Sequence, residues 1–118
     1  MRTIPEGQIV TLLDAQKRHF PNGAGEAVDH WVIEQGPDSM EKPAIRVWLI
    51  FKDELAGRLD DVQTSIQISD QIQGLLYAAF DVHFDFDLSV YVLFRSASEQ
   101  AELLAPPQRR QRRAVGGR

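Results

Sequence analysis

The nine residues from Ala44 to Lys52 (Ala-Ile-Arg-Val-Trp-Leu-Ile-Phe-Lys) constrain the fold more than any other stretch of this chain. Successive side chains of a strand point to opposite faces, so Val47, Leu49 and Phe51 share one side while Trp48 and Ile50 share the other. A strand that is apolar on both sides belongs to a sheet covered from two directions. The remainder of the sequence must therefore supply neighbouring strands and something to lie over them.

Two further runs read as strands. Val28 to Glu34 is rich in β-branched and aromatic residues, with Trp31 and Ile33 alternating against Val32. Gly36-Pro37-Asp38-Ser39 and Lys42-Pro43 interrupt the chain before Ala44. The spacing predicts an antiparallel hairpin whose connection of about nine residues exceeds the usual two to five. Val82 to Arg95 alternates with period two: Phe84, Phe86, Leu88, Val90, Val92 and Phe94 on one side, and His83, Asp85, Asp87, Ser89, Tyr91, Leu93 and Arg95 on the other.

Helical periodicity fills the gaps. Ile9, Leu12, Leu13 and Phe20, with Gln16, form one stripe over residues 4–20, opened by Thr3 and Glu6 at capping-box spacing and closed by Pro21-Asn22-Gly23. From Asp53 to Phe80, Leu55, Leu59, Val62, Ile66, Ser69, Gln73, Leu76 and Phe80 step by three or four. Gly57, Gly74 and the run Thr64–Ser69 are poor helix material. They predict a bend, or a break near Ser69 with Asp70 capping the second half. Ser96 or Ser98 caps a short helix through Leu104, and Pro106-Pro107 ends the folded part.

The reading is one α+β domain over residues 1–105. Its order is α-β-β-α-β-α, with a small three-stranded sheet and a long amphipathic central helix. A Pro/Arg-rich flexible tail over 106–118, without an apolar anchor before Ala114, is expected to be disordered alone. A length of 118 residues leaves no room for a second core. The chain has no cysteine, which excludes disulfides, thiolate metal sites and thiol catalysis and fits a cytoplasmic location. No apolar run approaches the roughly 20 residues that span a membrane.

Charge is divided unevenly. Residues 1–105 hold all 17 acidic residues and 8 basic ones, a net −9, while 106–118 hold Arg109, Arg110, Arg112, Arg113 and Arg118 and no acid. Four arginines within five residues make the tail a candidate contact for nucleic acid. Trp31, Trp48 and Tyr91 are the candidate partner-binding aromatics on the sheet, because a large apolar patch marks an interaction site. The uncharged polar surface of the long helix, Gln67 and Gln71 foremost, is a second candidate, since interface centres are depleted of charge. Bases also stack on sheet aromatics, but Asp85 and Asp87 share the side of Tyr91 and would repel phosphates.

Little in the sequence points to catalysis. His83, Asp85 and Asp87 lie on one side of a strand and are the only candidate metal ligands. Asp85-Phe86-Asp87-Leu88-Ser89-Val90 resembles the Asp-x-Asp strand of nucleotidyltransferases, without the Gly-Ser turn upstream. The order α-β-β-α-β is similar in outline to a type II KH-like domain, without its Gly-x-x-Gly loop. No catalytic residue and no cofactor is expected. The expected function is a non-catalytic protein-interaction module, an accessory subunit or antitoxin-like or immunity-like protein, binding another protein or its own copy. A nucleic-acid- or ribosome-associated protein is the alternative, and a metal-dependent enzyme at His83, Asp85 and Asp87 the third.

Overall fold

A computed structural model describes residues 4–37, 39–80 and 89–104. Helix α1 runs over Glu6–Gln16 and strands β1 and β2 over Val28–Pro37 and Pro43–Phe51. Helix α2 spans Val62–Phe80, strand β3 Ser89–Ser96 and helix α3 Ala97–Leu103, which is the α-β-β-α-β-α order read from the sequence. Residues 82–88 of the third expected strand, with His83, Asp85 and Asp87, lie outside the described residues, as does the arginine-bearing tail.

The strands lie in the order β1-β2-β3. β1 and β2 form the expected antiparallel hairpin, with Val32 opposite Trp48. β3 runs parallel to β2, with Leu93 opposite Trp48, because the chain crosses over through α2 before returning to the sheet. Helices α1 and α2 cover one face. Ile9 and Leu13 of α1, Ile68, Ile72 and Leu76 of α2, and Ile45, Val47 and Leu49 of β2 are fully buried there. The Trp31 indole N–H donates to Asp14 Oδ1 of α1 at 2.8 Å, and Phe20 meets the Trp31 ring edge-on. Gln35 grips the backbone of Ile4 at both ends, accepting from its N–H and donating to its carbonyl.

The helices depart from the sequence reading in three ways. The stretch expected as a helix to Phe20 leaves α-geometry after Gln16 and tightens into 3-10 turns over Lys17–His19 and Pro21–Ala27. Asn22 and Gly23 adopt positive φ there. At the other end no side chain caps α1; Pro5 stands at its N-cap, and Thr3 lies outside the described residues. The long central segment does break, but at Leu59–Asp61 rather than near Ser69, after a 3-10 turn over Asp53–Arg58. Asp61, not Asp70, is the cap: its carboxylate accepts from the Thr64 N–H and hydroxyl. Restarting at Val62 shifts the buried stripe to Thr64, Ile68, Ile72 and Leu76, and leaves Val62 and Ile66, expected inside, exposed.

Candidate functional site

The register sorts the candidate aromatics onto different faces. Trp31 lies opposite Leu49, so it belongs to the helix-covered side and is 7% exposed. The expectation that it shares a surface with Trp48 and Tyr91 is thereby corrected. A strand neighbour one residue away would have put it there, since a single-residue slip exchanges the faces. Trp48 and Tyr91 do share the other face. Across it run the rows Val32–Trp48–Leu93 and Glu34–Arg46–Tyr91.

Among the described residues this second face has much less cover. At one end sits α3, seven residues long. Its Gln100 accepts a 2.6 Å hydrogen bond from Arg95, a residue of this face, and Ile50 nearby is fully buried. The helix is seated by its own start. Ser96 and Glu99 form a reciprocal capping box, and Asp53 Oδ1 accepts from the Ser98 N–H at 3.1 Å. These bonds act on the carboxylates: the Ser98 hydroxyl and backbone hold Asp53 below its ordinary value, and the Ser96 backbone and hydroxyl do the same for Glu99. Beyond α3 the face opens. Tyr91 is 43% exposed, and Val32, Trp48 and Leu93 are half-buried.

The open face is polar only at chosen points. Arg95 lies over the Trp48 ring at 3.8 Å, a cation–π contact that also fixes the indole. Trp48 Nε1 donates to Glu34 Oε1 at 3.0 Å. Arg46 donates to the Pro37 carbonyl at 3.4 Å. Alternation along the sequence already put Arg95 on the side of Tyr91. Its stacking on Trp48 was not legible, because that contact is diagonal between strands and depends on the register. Arg46 was overlooked, although it stands two residues from Trp48 and therefore on the same side.

On the helix side, Gln67 and Gln71 stand on the outer surface of α2. Gln71 Nε2 reaches the His19 carbonyl at 3.4 Å across a groove of about 320 Å³, whose floor includes Phe20 and Leu75. His30 pairs with its neighbour Asp29 at 2.6 Å. Among the described residues no group of three His, Asp or Glu side chains is placed to hold a metal ion, and no helix is long and apolar enough to cross a membrane. Comparison with protein-family models, with curated proteins and with solved structures finds no match.

Proposed function

We propose that the chain is a protein-interaction module, acting in the cytoplasm, that docks a partner protein on the open sheet face around Trp48 and Tyr91. The observation that supports this reading is the unequal cover of one three-stranded sheet. Among the described residues two helices bury one face, and the other carries a seven-residue helix at one end and leaves Tyr91 exposed. Tyrosine, tryptophan and arginine are the residues most enriched where partners bind tightly, and this face has all three. The test is affinity capture of the full-length chain from its own cells, beside a Tyr91→Glu variant with the same urea midpoint. A partner recovered in stoichiometric amount should be lost from the variant. Its retention would sink the reading.

The five arginines after Pro106, with no acid among them, favour a second reading in which the tail contacts nucleic acid. Deleting residues 106–118 should then abolish salt-sensitive binding to single-stranded RNA, and binding that survives the deletion would dispose of it.

A further inference from the structure

We infer that α3 is a removable cover: in the free chain it occupies the Ile50 end of the open face, and it gives that end up when a partner docks. This rests on the proposed use of the face and adds how access to it is controlled.

Ile50 shows what lies underneath. It alternates with Leu49, so it belongs to the side of Trp48, and the register sets it between His30 and Arg95. It is fully buried, yet it stands outside the cluster formed by the other large, fully buried side chains. Helix α3 packs on both β2 and β3, and its Gln100 bonds Arg95, the register partner of Ile50. The apolar side chains of the open face therefore continue from Leu93, Val32 and Trp48 to Ile50, at the end where α3 sits.

What holds α3 is polar and local. A seven-residue helix has little stability of its own. Of its side chains only Gln100 is buried, while Leu103 and, at the C-cap, Leu104 are 54% and 74% exposed. Its seat consists of the Ser96–Glu99 box, the Asp53–Ser98 bond and the Arg95–Gln100 bond. An element held by a few hydrogen bonds, with no buried apolar side chain of its own, opens far more readily than the whole fold. Its opening uncovers Ile50 and frees Arg95, which in the closed form lies over the Trp48 ring. An apolar partner surface buries more at this end than a helix whose one buried side chain is a glutamine, so the partner favours the open form.

The chain has no cysteine, so introduced thiols report without background. Ile50→Cys and Leu49→Cys place a single thiol on opposite sides of β2. Labelling at 50 should depend weakly on urea, because a local opening exposes little surface, and labelling at 49 steeply, as global unfolding does. Amide exchange over α3 in the native chain should show the same weak dependence, independently of either substitution. Equally steep dependence at all three would mean that α3 leaves only with the whole fold, which overturns the cover whatever a partner does. Access is then read with a peptide selected from a displayed random library on the full-length chain and lost on Tyr91→Glu. Ser96→Ala removes the N-cap of α3 and should tighten that peptide about fivefold, as the open fraction rises by that factor. Asp53→Cys with Ser98→Cys, oxidised to a disulfide that pins α3, should bind below the native level, and reductant should restore binding. The reverse order would make α3 part of the surface a partner touches, and unchanged affinity would seat the partner beside it. Either overturns the displacement and leaves the docking face standing. A library that yields no Tyr91-dependent peptide overturns the docking reading, and the competition with it, even where labelling shows α3 opening.

Discussion

Gly25 lies so close to the 3-10 turn at the end of α1 that an added Cβ would stand 2.2 Å from the Lys17 carbonyl oxygen. The obstacle is backbone, which cannot swing aside as a side chain does. Gly25→Ala is therefore expected to cost about 1–3 kcal/mol, the range for overpacking a close approach. A lowered urea midpoint with unchanged slope checks it. The position matters because it fixes where the chain turns into β1, and hence which residues of β1 face the helices. That phase was the least legible feature of the sequence. Alternation within each strand was plain, with Trp31 and Ile33 opposed to Val32, and Trp48 and Ile50 opposed to Val47 and Leu49. Nothing local says that Trp31 stands across from Leu49 rather than Trp48. The long connection between the strands does not set the register as a two-residue turn would, and the pairing also shifts between Val28 and His30. The tryptophans were thus identified correctly as sheet aromatics and assigned to a common face wrongly.

At the scale of elements, α2 and α3 illustrate what side-chain caps decide. The periodicity of Leu55, Leu59 and Val62 runs unbroken through the point where the helix breaks, because spacings of three and four suit both a continuous helix and a restarted one. The local signal was Asp61 three residues before Thr64, which closes the first turn of α2. In α3 the sequence left the cap between Ser96 and Ser98; Ser96 takes it, with Glu99 completing a reciprocal box. Ser96→Ala should destabilise the chain by about 1 kcal/mol, as other lost N-caps do, and the loss should appear first as increased amide exchange in α3. Acid should act on the same helix. Asp53 and Glu99 have folded values below their ordinary 3.8 and 4.5, so their contribution is complete above those values and disappears as the pH falls through the lower folded ones. Amide exchange in α3 should therefore rise in acid at a higher pH than exchange in β2. Equal midpoints for the two elements would contradict the assignment. Gly74 makes the opposite case within α2. It is exposed, and an added Cβ meets nothing within 4 Å. Gly74→Ala should stabilise the chain by about 0.5–1 kcal/mol through helix propensity and a less disordered unfolded state, read from the urea midpoint.

Across the whole molecule, the two faces of one sheet are set to different uses, and three substitutions separate them. Leu49 is fully buried under the helices, so Leu49→Ala should cost about 2–5 kcal/mol. Tyr91 is 43% exposed at the opposite surface, and Tyr91→Ala should stay within about 0.5 kcal/mol of the native chain, as surface substitutions usually do. Trp48 is between them, half-buried and held by Arg95 and Glu34. Partner binding should rank the other way: Tyr91→Ala and Trp48→Ala lose it while folded, and Leu49→Ala keeps it under conditions where the native state remains populated. The inverse ranking follows from the division of labour, because a side chain that contributes to folding by excluding water within the chain has little surface left to offer a partner. Urea denaturation and capture of the partner, measured on the same three variants, decide the matter. Should Tyr91→Ala prove as costly to folding as Leu49→Ala, the second face is part of the hydrophobic core, and the chain's docking surface must be sought on the outer side of α2.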